Sequence, residues 1–133
     1  NLVAVEEVPE SMTDQYGIID AAKQNGQLVP AKGVVEKPKP EVAPSALAII
    51  GRYILEPIVL TILEHQERGT GNEIQLTDAM AKTIGLVPFN GFRFEGRRFD
   101  CGSKVGYLEA NLAFALERPE LAEHVREMLT RFN

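Results

Sequence analysis

The sequence has little cysteine and no long hydrophobic run. Cys101 is the single cysteine in 133 residues, so no intrachain disulfide can form, as is usual in a reducing cytoplasm. No segment approaches the roughly 20 consecutive apolar residues that a membrane-spanning helix needs. We therefore expect a cytoplasmic protein with no membrane partner, and we interpret Cys101 as a small buried hydrophobic residue.

The chain also lacks an excess of positive charge. Its net charge of -5 and its pI of about 5.1 argue against a nonspecific nucleic-acid-binding protein. An acidic protein that handles phosphate groups needs a few well-placed cations or a bound metal ion to do so. With 44% hydrophobic and 25% charged residues, the composition is typical of a globular domain that can build a core.

Strands alternate with helices along the chain. Apolar runs bounded by turn residues predict strands at residues 2–8, 16–20, 28–36 and 47–55, the last of them buried throughout. Asn25-Gly26 predicts a hairpin turn between the second and third strands, and Asn90-Gly91 predicts another turn. Helices are expected to begin at Pro57, at a Thr77 or Asp78 cap, after Ser103 and at Pro119. This order predicts an α/β fold, a mixed sheet with flanking helices.

The last two predicted helices have apolar residues at helical spacing. One stripe contains Val105, Leu108, Leu112 and Ala115, and the other contains Leu121, Val125, Met128 and Phe132. We expect the second stripe to face inward.

The segment Glu36-Lys37-Pro38 follows an apolar run and combines an acid with a base. Because Pro38 disfavours the helical region for the residue before it, we expect both charged residues to be extended and to point to opposite faces. A carboxylate accepts hydrogen bonds from sugar hydroxyls, and an ammonium group suits a phosphate. The pair therefore suits a sugar phosphate, although on spacing alone two solvated charges before a turn are the preferred interpretation.

Five motifs occur in an order that is specific as a set. This set resembles the C-terminal half of the bacterial UTP–glucose-1-phosphate uridylyltransferases, a family of sugar nucleotidyltransferases, and covers essentially the whole chain. The motifs are Tyr-Gly-Ile-Ile at 16–19, Val-Val-Glu-Lys-Pro at 34–38, Gly-Arg-Tyr at 51–53, Gly-Asn-Glu-Ile-Gln-Leu-Thr-Asp at 71–78 and Phe-Asp-Cys-Gly at 99–102.

The resemblance implies a reaction and a division of labour. UTP and glucose 1-phosphate would give UDP-glucose and pyrophosphate with Mg²⁺, and residues 1–133 would form the single sugar-phosphate-binding C-terminal part of a Rossmann-like nucleotidyltransferase domain. The glycine-rich triphosphate loop and the first metal-binding aspartate of the family do not occur in this sequence. Since the chain opens at Asn1 directly in a strand, we expect the nucleotide-binding part to be absent and the isolated chain to be inactive.

The resemblance also assigns site residues. Lys37 would be catalytic and bind phosphate, and Glu36 would bind glucose hydroxyls. Gly17, Ile49 and Tyr53 would line the sugar pocket, and Asp100 would be a magnesium ligand. Each has a structural alternative: a strand bulge for Gly17, plain core for Ile49 and Tyr53, and a turn or cap for Asp100.

Two other classes of function remain open at this stage. One is a noncatalytic sugar-phosphate-binding module of the same fold, and the other is an oligomerisation module that uses the C-terminal helices. Whichever function applies, we expect a homo-oligomer.

Overall fold

The computed structural model describes residues 1–21 and 26–132. The chain forms two compact units, Asn1–Phe94 and Glu95–Asn133. Asn25 of the predicted hairpin turn lies outside the described residues. In the described part of the chain, no helix is both long and apolar enough to cross a membrane.

The first unit is built on five strands that form a mixed sheet. The sheet order is β1-β4-β2-β3-β5, and β5 pairs back onto β1, so the sheet closes on itself. The β1–β5 pair is parallel and the other pairs are antiparallel. The strands are β1 (Leu2–Glu7), β2 (Gly17–Ala21), β3 (Leu28–Glu36), β4 (Leu47–Ile54) and β5 (Asn90–Arg93). The predicted mixed sheet is confirmed, and its closure is a feature that sequence patterns did not indicate.

Short helices flank this sheet. Two α-helices belong to the first unit, α1 (Ile58–Glu64) and α2 (Leu76–Lys82), and α2 packs on both α1 and β3. Short 3-10 helices connect other elements at Glu10–Gln15, Pro40–Val42 and Thr70–Asn72. The second unit contains α3 (Lys104–Glu117) and α4 (Pro119–Thr130), which pack on each other.

The core of the first unit lies between the sheet and its helices. In β1, Val3 and Val5 are buried while the residues between and beside them are partly exposed, as expected when successive side chains point to opposite faces. Val59 of α1 and Met80 of α2 are fully buried and belong to the same cluster. The packing of the helices on the sheet is therefore stabilised by burial of apolar surface, which contributes about 25 cal/mol for each Å² removed from water.

Strand β4 changes character at its midpoint. Its first residues, from Leu47, are buried, but Ile54 is 71% exposed, so the prediction of a strand buried throughout was wrong. The pairing register with β1 shifts between Val3 and Val5, and Gly51 opposite this shift has φ 75°. A bulge of this kind bends the strand and re-aims the side chains that follow it, which include Tyr53.

Local signals for helix ends succeeded in part. Ser103 caps α3 by accepting a hydrogen bond from the Gly106 N–H at 2.9 Å, and Pro119 begins α4, as predicted. By contrast, α2 begins after Gln75 and has no side-chain cap. The predicted turn at Asn90-Gly91 was also wrong, because both residues pair within β5.

The inward stripe predicted for the last helix was wrong at three of its four residues, since Val125 alone among them is partly buried. Val105 is 77% exposed, and Met128 and Phe132 are also exposed. The buried positions are instead the small residues Gly106, Ala110 and Ala122. A search for large apolar residues at helical spacing could not find them. Where two helices approach closely, the contact positions are occupied by small side chains.

We predict that Met80→Ala lowers the free energy of unfolding by about 2–5 kcal/mol, since Met80 is fully buried and its removal leaves a cavity in the core. Met128→Ala, at a half-exposed position of α4, is the matched control and should cost far less. Urea unfolding followed by circular dichroism measures both. Equal losses for the two variants would contradict the assignment of the core.

Candidate functional site

Strand pairing brings two of the predicted site residues face to face. Gly17, at the start of β2, lies directly opposite Glu36, at the end of β3. The Lys37 N–H donates to the Tyr16 carbonyl at 2.9 Å and extends the same pairing by one residue. The two residues from separate motifs therefore meet because β2 and β3 form a hairpin-like antiparallel pair.

Lys37 differs from its predicted conformation. Its φ is 47°, in the left-handed region that a lysine rarely occupies. Extended neighbours would have pointed to opposite faces, but the Lys37 Nζ lies 3.7 Å from the Glu36 Oε1. The expectation of an extended pair was therefore wrong, and the turned backbone instead places the two charges side by side.

The two charges differ in their exposure to water. The Glu36 side chain is 10% exposed, whereas that of Lys37 is 48% exposed. A carboxylate that is nine-tenths buried loses most of its hydration and needs replacement partners. The ammonium group supplies one of these, and it keeps enough open surface to meet a second anion such as a phosphate.

Gly17 makes room for Glu36 and for a residue that sequence reasoning did not select. A Cβ at Gly17 would lie 3.2 Å from the Glu36 Oε2 and 3.2 Å from the Thr77 Oγ1. Thr77 was interpreted as a helix cap, but it lies in the first turn of α2 and its hydroxyl faces Gly17. Its motif was visible in the sequence, yet no spacing rule connects residue 77 with residue 36.

Tyr53 is electrostatically coupled to the same carboxylate. Burial raises the pKa of its phenol above the usual 10.0, and the negative charge of Glu36 raises this pKa further. The phenol thus stays neutral at physiological pH and can donate a hydrogen bond. Tyr53 is 42% exposed, so the plain-core alternative does not describe it.

Ile49 lies in a different environment. It is 6% exposed, pairs across the sheet with Val5 and belongs to the main core cluster. Its surroundings are those of a core residue, and a role in lining a sugar pocket stays a prediction.

Asp100 lies in the second unit, where it organises a turn. Its Oδ1 accepts the Gly102 N–H at 3.0 Å, and its carbonyl oxygen accepts both the N–H and the hydroxyl of Ser103 at 3.2 Å. Within residues 1–21 and 26–132, no cluster of three or more His, Cys, Asp or Glu residues could hold a metal ion.

Asp100 nevertheless suits a metal ion that is shared with phosphates. Its second carboxylate oxygen forms no hydrogen bond with the described residues, and the residue is exposed. Magnesium commonly binds through one or two carboxylates, with substrate phosphates and water completing its shell. Cys101 beside it is exposed, so the prediction of a buried thiol was wrong.

In the first unit, then, a buried carboxylate, an ammonium group and the hydroxyl of Thr77 come together, and the phenol of Tyr53 is influenced by the charge of the same carboxylate. The carboxylate accepts hydrogen bonds, the ammonium neutralises an anion, and the hydroxyls of Thr77 and Tyr53 can donate or accept. A ligand that carries several hydroxyls and one anionic group matches this set.

The raised pKa of Tyr53 leads to a testable pH dependence. We predict that one tyrosine of the folded protein, Tyr53, loses its proton at a pH above the normal tyrosine pKa of about 10. Tyr53→Phe should remove this late ionisation step. Glu36→Gln should move the step toward lower pH without abolishing it, because burial contributes more than the charge. Since the folded state holds this proton more tightly, the associated stability is lost as the pH rises through the folded-state pKa.

Absorbance at alkaline pH measures this ionisation, and Tyr107→Phe, at an exposed position, is the control that should retain the late step. A late step that survives Tyr53→Phe would show that Tyr53 is not the perturbed group.

Comparison with known proteins supports the resemblance. The chain is 59% identical over 105 residues to a UTP–glucose-1-phosphate uridylyltransferase of Komagataeibacter xylinus, a match that covers 79% of this chain and 37% of that protein. It is 40% identical over 133 residues to the enzyme of the same name from Staphylococcus epidermidis, which covers 100% of this chain and 46% of the relative. No family model matches the chain.

Solved structures give a consistent result. A UDP-glucose pyrophosphorylase complexed with UDP-glucose matches with a TM-score of 0.81 at 42% identity, over 88% of this chain and 44% of that one. The UDP-glucose pyrophosphorylase of Acinetobacter baumannii matches with a TM-score of 0.83 at 38% identity, over 99% of this chain and 45% of that one.

The chain spans less than half the length of the curated relatives that it matches. Its five motifs, its fold and its similarity over nearly all of its own length nevertheless agree. The chain is homologous to part of the UTP–glucose-1-phosphate uridylyltransferases.

Proposed function

We propose that this chain supplies the glucose 1-phosphate side of the active site in an enzyme that makes UDP-glucose and pyrophosphate from UTP and glucose 1-phosphate. The observation that carries the proposal is the nine-tenths buried carboxylate of Glu36 with the half-exposed ammonium group of Lys37 beside it. Residues 1–133 would form the sugar-phosphate-binding part of a single nucleotidyltransferase domain. The noncatalytic alternative has no separate observation in its favour.

Glu36 would select the sugar. Its Oε2 faces the space that Gly17 leaves open, next to the hydroxyl of Thr77. Glucose hydroxyls would donate to the carboxylate, and Tyr53 and Thr77 would complete the hydrogen bonds at its edge. A sugar whose hydroxyls left one of these groups unpaired would bind less favourably by about 1–3 kcal/mol.

Lys37 would hold the phosphate of the sugar. In the reaction, an oxygen of this phosphate attacks the α-phosphorus of UTP in line, a new P–O bond forms, and pyrophosphate leaves with the electrons of the bond that breaks. No protein nucleophile is needed, so catalysis depends on positioning and on neutralisation of charge. The ammonium group would offset the repulsion between the two phosphate-bearing substrates.

Asp100 would bind the metal through the oxygen that is not engaged with Gly102. Magnesium, when bound, would add positive charge at the phosphates. The turn that holds the first oxygen would keep the second one in a fixed direction.

We also propose a cytoplasmic enzyme that forms a homo-oligomer. The exposed apolar side chains of α3 and α4, among them Val105, Leu108 and Phe114, support an interface between copies.

Lys37→Ala tests the phosphate contact. In a protein that joins this chain to the nucleotide-binding half of a relative, we predict a loss of about tenfold or more in kcat/KM for glucose 1-phosphate, because a charge-assisted hydrogen bond contributes roughly 1.5–3 kcal/mol. The KM for UTP should change far less.

Lys39→Ala removes the same charge two residues further along, at an exposed position, and is the matched control. Steady-state kinetics with each substrate varied in turn separates the two effects. Equal sugar-phosphate kinetics in wild type and Lys37→Ala would remove Lys37 from the site.

Asp100→Asn distinguishes a metal ligand from a turn residue. The amide oxygen can still accept the Gly102 N–H, so folding should be nearly unchanged, and a turn residue would lose nothing. A metal ligand loses its charge, and we predict a strong fall in turnover with a higher magnesium requirement. A magnesium titration of activity and a thermal melt should be measured together, with Asp14→Asn, at an exposed position, as the control. An unshifted magnesium midpoint with full activity would assign Asp100 to the turn alone.

A further inference from the structure

Gly106, in the first turn of α3, touches the backbone of Asp100. A Cβ at this glycine would collide with the Asp100 carbonyl oxygen and would lie 2.9 Å from the Asp100 carbonyl carbon and 2.9 Å from the Ser103 Oγ. The colliding atoms of Asp100 belong to its backbone and cannot rotate aside. An alanine at this position therefore requires the turn itself to move, by roughly 1 Å if a normal carbon–oxygen contact is to be restored.

Hydrogen bonds connect the same three residues. The Gly106 N–H donates to the Ser103 Oγ at 2.9 Å, and the Ser103 hydroxyl lies 3.2 Å from the Asp100 carbonyl oxygen, to which it donates. The cap of α3 and the turn at Asp100 are thus one connected unit. A shift at Gly106 reaches Asp100 both through direct contact and through Ser103.

The chain before Asp100 is also held against α3. The Phe99 ring packs on that of Phe114 with centroids 5.6 Å apart, and the Arg97 guanidinium lies 4.9 Å from the Phe99 centroid while pairing with Glu109 at 2.6 Å. α3 thus contacts the chain on both sides of Asp100, so a shift of the turn moves the backbone that carries the carboxylate.

We propose that Gly106 is a positioning residue for the metal-binding carboxylate of Asp100. The inference rests on the proposed function, in which Asp100 binds magnesium. Magnesium demands nearly ideal octahedral geometry with ligand distances of about 2.0–2.1 Å, so a displacement of roughly 1 Å removes a ligand as effectively as a substitution does.

The test uses Gly106→Ala in a protein that joins this chain to the nucleotide-binding half of a relative. We expect the Mg²⁺ midpoint of activity to rise by about tenfold, because losing one anionic ligand of a hard cation weakens binding on this order. Direct Mn²⁺ binding in the presence of UTP, followed by the electron paramagnetic resonance signal of the free ion, should weaken by a similar factor. The KM for glucose 1-phosphate at saturating Mg²⁺ should stay the same.

A double variant separates positioning from general damage. In the Asp100→Asn background, Gly106→Ala should cause no further weakening of Mn²⁺ binding, because the ligand is already lost. Weakening that adds fully to that of Asp100→Asn would overturn the inference, as would Mn²⁺ binding in Gly106→Ala equal to that of wild type.

The outcome also distinguishes this inference from the proposed function on which it rests. If Asp100→Asn itself leaves Mn²⁺ binding unchanged, the metal role of Asp100 fails, and the positioning role fails with it. If only Gly106→Ala leaves binding unchanged, the positioning role alone fails. Should Gly106→Ala not fold, Ser103→Ala takes its place, since it removes the hydroxyl that links the two residues. Its expected result is a smaller shift in the same direction, and no shift would overturn the inference.

Discussion

The antiparallel pairing of β2 with β3 is the constraint on which the candidate sugar site depends. It places Gly17 opposite Glu36, and it takes the Lys37 N–H to the Tyr16 carbonyl. A slip of one residue would turn the Glu36 side chain to the other face of the sheet, because side chains alternate along a strand. The buried apolar residues of these strands, among them Ile19 and Val34, make such a slip costly. Core packing therefore determines where the charged groups of the site lie.

The backbone at Lys37 shows how the site departs from local preference. A left-handed lysine costs on the order of 1–3 kcal/mol and persists only when its surroundings determine it. Here the N–H of Lys37 is held by its hydrogen bond to the Tyr16 carbonyl. The next residue, Pro38, has a fixed φ. The result is an ammonium group 3.7 Å from the carboxylate of its own neighbour.

Features governed by neighbours in sequence could be predicted, and features governed by tertiary neighbours could not. The bounds of β3, the Ser103 cap and the Pro119 helix start follow from apolar patterning, a capping hydroxyl and the geometry of proline. Thr77 enters the site only because α2 packs on β3, and Cys101 is exposed for reasons that no local pattern contains. The assignment of the candidate site residues rests on the resemblance of five motifs, since on spacing alone two solvated charges were the preferred interpretation of Glu36-Lys37.

Gly17 lies against the carboxylate of Glu36, and Gly106 lies against the backbone of Asp100. The surroundings of the two glycines differ in how easily they can move. At Gly17 the nearest atoms are side-chain atoms of Glu36 and Thr77, 3.2–3.3 Å from a hypothetical Cβ, and side chains can give way by a few tenths of an ångström. At Gly106 the nearest atoms are backbone atoms of Asp100, which move only if the whole turn moves. A group that recognises sugar hydroxyls tolerates some adjustment, because hydrogen-bond lengths vary by several tenths of an ångström. A magnesium ligand tolerates much less. The stiffer support therefore lies under the group whose chemistry demands the tighter geometry, as expected if Asp100 is a ligand and not only a turn residue.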